Sequence, residues 1–250
     1  MSFLDRFTGR GGAYAAGRPT YPDAALDVLF AGLGDPHDVV VADLGAGTGI
    51  SSRLLAARGA HVMAVEPNAS MRDAAEPDAD VEWVDGTAEA TGLAEASVDL
   101  AAAFQAFHWF DHARALTEIV RIVRPGGRAA VVYNERDERD PFTAAYGALV
   151  RAYQVDDTER RRADGLEIFA AFDGWHGGPR RIEFPNVQTV DREALRTRAR
   201  STSYLPQSGP ESEKLFAAID ALFDEHARDG RADMALRTLV VYGDLGADGG

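Results

Sequence analysis

Short apolar runs alternate with helical patterns along the first half of the chain. The runs are short enough for buried strands and lie at residues 39–42, 61–65, 81–84, 97–104 and 128–133. Between them, apolar residues recur at the spacing of one helix face, as in the series Leu116, Ile119, Val120 and Val123. Strands that alternate with helices in this way predict a parallel, doubly wound α/β sheet.

After Pro141 the pattern changes to longer helical stretches with two further strands. Helices are predicted at about 141–153, 156–172, 191–200 and 211–229, and strands at 181–190 and 236–242. We expect a glycine-rich break from Gly174 to Pro179. Because no repeat or low-complexity linker divides the chain, we predict one domain over 1–250. Its parts are an N-terminal lid and helix (1–36), a core (37–135), and a helical cap with the last two strands (136–250).

Composition narrows the classes of function. The 250 residues carry 40 acidic and 26 basic side chains, a net charge of −14, which disfavours a nucleic-acid partner. The chain has no cysteine, so disulfides and thiolate catalysis are excluded. The absence of cysteine makes a reducing cytoplasm the default location. No apolar stretch is long enough for a membrane span, and no signal-peptide pattern is present. The arginine triple at 160–162 is expected to be a solvated helix face.

The first strand runs into a glycine-rich turn, Gly45-x-Gly47-x-Gly49, followed by Ile50. Such a turn lets a ligand approach the backbone, and the next helix favours negative charge at its N-terminus. A dinucleotide fingerprint needs its third glycine where Ile50 stands, and a P-loop needs a lysine. Asp43, at the end of the strand, would repel a pyrophosphate and attract an ammonium group. S-adenosylmethionine has that ammonium and a carboxylate suited to the helix N-terminus.

A second carboxylate follows the second strand. Glu66 stands 21 residues after Gly45, where a carboxylate can accept both hydroxyl protons of a ribose. This position predicts a nucleoside ligand. Nicotinamide sites share the feature, so Glu66 alone leaves the choice of cofactor open.

Several short motifs stand in order along residues 14–134. They are VADLGAGTG at 41–49, VEP at 65–67, GTAE at 86–89, VDL at 98–100, FHW at 107–109, and a segment at 116–127 that ends in RPGG. Their order and spacing resemble those of class I S-adenosylmethionine-dependent methyltransferases. The run YxxxRPxYP at 14–22 resembles the N-terminal lid of the type 11, small-molecule branch. The run from Phe107 to Phe110 is similar to trans-aconitate methyltransferase-like proteins.

The resemblance implies a fold and a cofactor site. The implied sheet has seven mostly parallel strands in the order 3-2-1-4-5-7-6, with helical insertions as a cap. The cofactor would be S-adenosyl-L-methionine and the product S-adenosyl-L-homocysteine. The implied cofactor residues are Asp43, Gly45, Ala46 and Gly47 at the methionine, Glu66 at the ribose, Pro67, Met71, Thr87 and Ala88 around the adenine with Asp85 or Glu89 for its amino group, Gln105 with Ala106 toward the acceptor, and Tyr14 and Arg18 in the lid.

Candidates for the acceptor side follow the fourth and fifth strands. His108 is a candidate general base for a hydroxyl or amine, with a structural or cofactor-binding role as the alternative. Trp109 could wall the methyl-transfer channel or belong to the core. Further candidates for the acceptor pocket are Tyr133, Asn134 and Tyr204. If the acceptor is a carboxylic acid, Arg18 and either Arg198 or Arg200 should pair with it.

We therefore predict methyl transfer from S-adenosylmethionine to a small-molecule acceptor, at a carboxylate or hydroxyl oxygen. One alternative is a protein that keeps the cofactor-binding fold without methyl transfer, such as a binding subunit or a cyclase. Another is a nicotinamide-dependent oxidoreductase, against which Asp43 and Ile50 argue. The histidines have no metal-ligand spacing, and we expect no metal ion. The sequence gives no sign of a partner protein and leaves the oligomeric state undetermined.

Overall fold

A computed structural model describes residues 19–202 and 204–246 of the chain. The strands in this part are β1 (Val40–Leu44), β2 (His61–Val65), β3 (Val81–Val84), β4 (Val98–Phe104), β5 (Val123–Arg136), β6 (Trp175–Val190) and β7 (Ala232–Leu245). The α-helices are α1 (Asp23–Phe30), α2 (Ile50–Ala56), α3 (Ala69–Asp73), α4 (His112–Ile122), α5 (Pro141–Tyr153), α6 (Thr158–Ala170), α7 (Arg192–Ser201) and α8 (Pro210–His226).

The strands form one seven-stranded sheet in the order β3-β2-β1-β4-β5-β7-β6, which confirms the predicted topology. β1 pairs in parallel with β2 and β4, so Asp43 lies beside Ala64 on one side and Ala102 on the other. β3 and β5 extend the parallel part, and β7 lies antiparallel between β5 and β6. The strand order reverses between β1 and β4. In such sheets, ligands bind outside the carboxyl ends of the strands at this switch point.

Both faces of the central sheet are covered by helices. Successive strand residues point to opposite faces. Ala42 and Leu44 therefore pack in a cluster with residues of α4 and α6, whereas Val41 packs with Leu26 of α1 and Leu55 of α2. Burial on both faces explains why the strands are almost continuously apolar.

The cap helices have an apolar cluster of their own. α5, α7 and α8 pack with the end of β6 and the start of β7, and the buried members include Phe142, Leu195, Leu215 and Met234. α6 packs instead against the short 3-10 helix Phe107–Trp109 that follows β4. The cap therefore stands beside the carboxyl edge of the sheet, as expected. The single-domain division of the chain stays a prediction.

The predicted break from Gly174 to Pro179 is only a bulge within a strand, at which residues 177–179 have no partner on β7 and Gly177 and Gly178 have left-handed backbone. β6 begins at Trp175 and runs through this segment, with an irregular register between His176 and Arg180. β7 is also longer than predicted, at Ala232–Leu245. Because β7 has a partner strand on both sides, backbone pairing extends these strands past residues whose local preference is for turns.

The boundary between α4 and β5 also differs from the expectation. α4 ends at Ile122 and β5 begins at Val123, whereas the pattern predicts that the helix includes Val123 and that the strand begins at residue 128. Val120, placed on the buried helix face by its spacing, is 47% exposed. The buried stripe is centred on Ala115, Ile119 and Ile122, which leaves Val120 at its edge. Within the described part of the chain, no helix is long and apolar enough to cross a membrane.

Candidate cofactor and acceptor site

The loop after β1 turns back over the carboxyl edge of the sheet. Gly45, Gly47 and Gly49 all have left-handed backbone, with φ angles of +70°, +59° and +74°. Residues with a Cβ atom rarely adopt this conformation. The N–H groups of Gly45 and Ala46 donate to the carbonyl of Val65 at 2.9 and 3.2 Å, which ties the loop to the end of β2. The glycine spacing therefore fixes the shape of this loop.

Close packing provides a second reason for two of these glycines. A Cβ atom on Gly45 would lie 2.8 Å from the Cβ atom of Ala106, in the loop after β4. A Cβ atom on Gly49 would lie 2.9 Å from the indole of Trp83 on β3. Gly45 thus lets the two loops at the switch point approach each other, whereas Gly49 lets α2 begin against β3.

Asp43 is fully buried beneath the loop. Its Oδ2 accepts hydrogen bonds from Ser51 Oγ at 2.7 Å and Ser52 Oγ at 2.6 Å, both at the start of α2. Its Oδ1 has no hydrogen-bond partner within the described residues. Burial raises the pKa of Asp43 from 3.8 to about 6, against the effect of the two serine hydrogen bonds. A buried carboxylate oxygen without a partner is one that a ligand ammonium group would satisfy.

Glu66 fixes two segments of backbone at the end of β2. One carboxylate oxygen accepts from the N–H of Gly47 at 3.0 Å, and the other accepts from the N–H of Asn68 at 2.9 Å. Burial raises the pKa of Glu66, against the effect of these hydrogen bonds and of Arg72. Each carboxylate oxygen has more than one acceptor site, so Glu66 can hold the loop and also accept protons from ribose hydroxyls.

A cleft, here called the main cleft, lies at the carboxyl ends of β1 to β4. It is lined by Gly45, Gly47, Glu66, Pro67, Asn68, Met71, Thr87, Ala88, Glu89, Phe104, Gln105, Ala106, Trp109 and Phe110. The predicted cofactor residues from Gly45 to Gln105 line it, apart from Ala46. Ala46 lines an adjoining cavity together with Pro19 and Tyr21. Asp43 lies below the loop, and the predicted residues Tyr14 and Arg18 lie outside the described residues.

The main cleft distinguishes between the two acidic candidates for the adenine amino group. Glu89 lines the cleft, and its carboxylate accepts from the N–H of Asp111 at 2.8 Å. Asp85 is exposed and pairs with Arg72 at 3.2 Å. Sequence reasoning missed the roles of Phe104 and Asn68 in the lining. Phe104 is the last residue of an apolar strand. Nothing in the sequence there distinguishes a residue that lines a cleft from a residue of the core. Asn68 directly follows the Glu-Pro motif, and this position could have predicted that Asn68 lines the cleft.

Gln105 has a strained backbone at the point where β4 ends. Its φ is +56°, which is uncommon for a residue with a side chain. The surrounding structure holds it there, because its N–H donates to the carbonyl of Val132 at 2.9 Å and its Nε2 donates to the carbonyl of Asn134 at 3.2 Å. Strain of this kind is concentrated at functional sites. Gln105 lines the main cleft and both cavities that adjoin it.

His108 and Tyr133 form a pair behind the main cleft. The backbone N–H of His108 donates to Tyr133 Oη at 3.1 Å, and its ring Nδ1 lies 3.2 Å from the same oxygen. Burial raises the pKa of Tyr133, whose side chain is 0% exposed. Tyr133 lines neither the main cleft nor the cavities that adjoin it, because its hydroxyl is held by the loop after β4, and its role toward an acceptor stays a prediction. Of the two roles considered for His108, this contact supports the structural one.

Two other acceptor candidates lie at cavities beside Gln105. Asn134 lines both adjoining cavities, and its Nδ2 donates to the carbonyl of Thr20 at 3.2 Å. Tyr204 lines the cavity under the cap, which we call the arginine cavity. Its lining residues are Pro19, Gln105, Asn134, Arg136, Tyr146, Val150, Arg162, Arg198, Ser201, Thr202 and Tyr204. Trp109 lines the main cleft.

The structure distinguishes between arginines that are equivalent candidates in the sequence. Arg198 lines the arginine cavity, whereas Arg200 is exposed and pairs with Glu193 at 2.8 Å. The triple at 160–162 is only partly a solvated face. Arg160 and Arg161 pair with acidic residues one helical turn away, but Arg162 lines the arginine cavity. Helical spacing alone did not predict that Arg162 lines a cavity. Only a narrow stripe of α6 is buried against its neighbours, and Arg162 lies outside that stripe.

The residues present fit S-adenosylmethionine. The unpartnered Oδ1 of Asp43 suits its ammonium group, and Glu66 suits its ribose. The apolar walls provided by Pro67, Met71 and Ala88 suit an adenine ring. Among the described residues, no group of three His, Cys, Asp or Glu side chains could hold a metal ion.

Solved structures share this fold. A protein from Anaeromyxobacter dehalogenans, described as a candidate type II methyltransferase, superposes with a TM-score of 0.62 at 24% identity. The superposition covers 92% of this chain and 99% of that chain. The YcgJ protein from a Bacillus species gives a TM-score of 0.56 at 18% identity, over 90% of this chain and 99% of that one. At these identities the likeness shows the fold alone.

Sequence comparison identifies the family. A methyltransferase domain profile matches residues 42–131. The uncharacterized methyltransferase Rv3342 of Mycobacterium tuberculosis is 43% identical over 142 residues, which are 56% of each chain, so the match spans little more than half of that relative. The uncharacterized methyltransferase-like protein C25B8.10 of Schizosaccharomyces pombe is 30% identical over 214 residues, 84% of this chain and 82% of that relative. The chain therefore belongs to the class I S-adenosylmethionine-dependent methyltransferases.

Proposed function

We propose that this protein transfers the methyl group of S-adenosylmethionine to an oxygen atom of a small-molecule acceptor. The observation that carries the proposal is the convergence of Glu66 and Gln105 on one cleft at the switch point, with Asp43 buried beneath the glycine loop that lines it. The cavities that adjoin the cleft at Gln105 are small, and one of them lies under the cap helices, which suits a small acceptor better than a polymer. The net charge of −14 also disfavours nucleic acid.

The protein groups act by binding and orientation. When bound, S-adenosylmethionine supplies a methyl group on a positively charged sulfur. The buried carboxylate of Asp43 is placed for the ammonium end of the ligand, and Glu66 for its ribose. The strained Gln105 stands between the main cleft and the acceptor cavities. Since positive charge on sulfur is consumed in the transfer, the alignment of the acceptor provides much of the rate.

Titration calorimetry with S-adenosylhomocysteine tests the cofactor site. We expect micromolar binding to the wild-type protein. Glu66→Ala removes an acceptor for ribose hydroxyls and for the loop amide of Gly47, and should weaken binding by about 10- to 100-fold. Glu82→Ala, which removes an exposed carboxylate from the neighbouring strand β3, is the matched control and should bind like the wild type.

The other outcomes separate the alternatives. Binding of NADH instead of S-adenosylhomocysteine would favour a nicotinamide-dependent oxidoreductase. Tight binding of S-adenosylhomocysteine with no methylated product across a broad panel of acceptors would favour a protein that keeps the cofactor site without methyl transfer. Release of S-adenosylhomocysteine from S-adenosylmethionine only when an acceptor is present would support methyl transfer.

A further inference from the structure

The loop between β3 and β4, residues 85–97 and here called the β3–β4 loop, forms one wall of the main cleft. Thr87, Ala88 and Glu89 line the cleft from this loop. The loop lies outside the helices and strands, with an isolated bridge between Thr87 and Ala90. A segment of this kind needs contacts with other elements to hold one shape, because ordering its backbone costs entropy. The contacts of the β3–β4 loop therefore decide where this wall of the cleft stands.

Glu118 on α4 is a buried acidic residue that binds the β3–β4 loop. Its Oε1 accepts hydrogen bonds from the backbone N–H of Thr91 at 2.9 Å and from Thr91 Oγ1 at 2.6 Å. Thr91 is fully buried, and its Oγ1 accepts in turn from the N–H of Leu93 at 3.1 Å. A Cβ atom on Gly86 would lie 2.5 Å from the carbonyl oxygen of Thr91, so the loop folds back on itself at this point. One carboxylate thus holds the loop where its two ends meet.

Arg121 keeps Glu118 in its charged form. Its Nε and Nη2 donate to the two carboxylate oxygens of Glu118, each at 2.7 Å, and Nη2 also donates to the carbonyl of Leu93 at 2.8 Å. The hydrogen bonds from Arg121 and Thr91 lower the pKa of Glu118 to about 2, against the effect of burial. An ionised carboxylate accepts stronger hydrogen bonds than a neutral group. Glu118 therefore holds the β3–β4 loop as an anion at neutral pH.

The same loop is also joined to both ends of α4. Before the helix begins, the N–H of Asp111 donates to Glu89 at 2.8 Å, and at its end the carbonyl of Arg121 accepts from the N–H of Ala96 at 2.9 Å. Glu118 lies between these two contacts, and the other buried residues of α4 are apolar. A buried charge on an apolar helix face is costly unless it is paired and hydrogen-bonded. Its position therefore indicates a role in fixing the loop rather than in packing the helix.

We infer that Glu118 is a positioning residue for the cofactor, and that it acts through Thr91 to place the wall of the main cleft that recognises the adenine amino group. This inference rests on the proposed function, with an adenine ring bound in the main cleft. Glu89 in that wall has a carboxylate that can accept a hydrogen bond from the amino group. Hydrogen bonds weaken steeply with distance and angle, so this recognition depends on the placement of the β3–β4 loop.

Titration calorimetry with two ligands tests the inference. The ligands are S-adenosylhomocysteine and S-inosylhomocysteine, in which an oxygen atom replaces the adenine amino group. We expect the wild type to bind S-adenosylhomocysteine at least about 10-fold more tightly than the deaminated ligand. Thr91→Val and Glu118→Gln should each weaken the binding of S-adenosylhomocysteine by about 10-fold and reduce this preference to about threefold or less. A role in stability alone would weaken both ligands equally and leave the preference unchanged.

Two further variants serve as controls. Thr91→Ser keeps the hydroxyl group and should restore the wild-type preference. Thr117→Val removes an exposed hydroxyl of α4, which donates to the carbonyl of Ala113, and should bind both ligands like the wild type. If Glu118→Gln does not fold, the comparison of Thr91→Val with Thr91→Ser decides the test.

The outcomes separate this inference from the proposed function. Unchanged binding of both ligands by Thr91→Val, or equal weakening of both, would overturn the inference alone. A wild type that binds S-adenosylhomocysteine without preference over the deaminated ligand would do the same. Failure of the wild type to bind either ligand would overturn the proposed function and this inference with it.

Discussion

Asp43 shows how one residue couples stability to ligand binding. Its carboxyl group is fully buried, two serine hydroxyls hold Oδ2, and Oδ1 has no partner in the described structure. Its pKa is raised to about 6 because burial disfavours the charged form. Without ligand, ionisation of Asp43 therefore destabilises the fold. A ligand ammonium group would reverse this effect.

Asp43→Asn should change the pH dependence of stability in the ligand-free protein. An acid whose pKa is raised on folding contributes stability at low pH, and this contribution is lost as the pH rises through about 6. Asparagine does not ionise, so the Asp43→Asn variant does not lose this stability. Its free energy of unfolding relative to the wild type should therefore increase between pH 5 and 7 by roughly 1 kcal/mol.

Urea denaturation at several pH values measures this difference. The neighbouring Glu66, whose pKa is also raised by burial, titrates in both proteins, and its effect largely cancels in the comparison. A difference that stays constant from pH 5 to 8 would contradict the raised pKa. The same variant should bind S-adenosylhomocysteine more weakly, since the counter-charge of the ammonium is gone.

At the scale of elements, the site is made by two loops that touch. The loop after β1 meets the loop after β4 where Gly45 faces Ala106. Neither loop alone forms the cleft, because residues of both line it. Backbone strain at Gln105 is held by β5 through the carbonyls of Val132 and Asn134. We therefore expect the site to be sensitive to substitutions at the contact between these two loops.

Gly45→Ala should separate steric contact from backbone strain. At Gly45 the new methyl group meets the Ala106 side chain and also requires a left-handed φ of +70°. Gly32→Ala is the matched control, because Gly32 has φ +88° but no atom within 4 Å of the added Cβ. We expect Gly32→Ala to cost about 1 kcal/mol and Gly45→Ala about 1–3 kcal/mol more.

Denaturant unfolding of both variants checks these values, and calorimetry adds a second criterion. Only Gly45→Ala should weaken the binding of S-adenosylhomocysteine, since Gly32 lies outside the main cleft. Equal stability losses in the two variants would show that contact with Ala106 is unimportant.

At the scale of the whole molecule, Arg128 joins three elements at the opposite edge of the sheet. Its side chain is buried, and its Nε donates to Asp244 Oδ1 on β7 at 2.7 Å. The same guanidinium donates to the carbonyls of Val28 and Leu29 at 3.1 and 3.0 Å, near the end of α1. It also lies 4.8 Å from the centre of the Tyr242 ring. α1, β5 and β7 are thus held by one charged group.

Arg128→Met should destabilise the fold without affecting the site. It leaves two carbonyls without their donor and Asp244 with only its more distant partner Arg180, and loss of one partner of a largely buried pair costs about 3 kcal/mol. Arg124→Met is the comparison, because Arg124 pairs with Asp99 but is much more exposed, and should cost about 1 kcal/mol or less. Thermal unfolding measures both losses. Weakened cofactor binding in a folded Arg128→Met protein would show that this edge communicates with the cleft.

Different parts of the fold were predictable to different degrees. Four of the five parallel strands followed from buried apolar runs, since strands covered on both faces have a strong composition signal, whereas the edge strand β3 was predicted although none of its residues is buried. The sequence pattern did not predict the start of β6 or the length of β7, because these depend on pairing between strands that are distant in the chain. In the same way, the main cleft followed from the Asp43–Gly49 motif. The burial of Tyr133 and the position of Arg162 depended on helices that pack from the cap.

The sequence by itself determined the parallel, doubly wound class of the sheet and the residues of the cofactor loop, whereas the strand order was implied only by the family resemblance. Local spacing carries that information, because a glycine turn after a buried strand needs only neighbouring residues. Tertiary structure decided which side chains share the arginine cavity. Arg136, Arg162 and Arg198 are far apart along the chain, and nothing local marks them as neighbours. They meet only because α6 and α7 fold over the carboxyl end of β5, and this packing distinguishes Arg198 from Arg200 and Arg162 from Arg160.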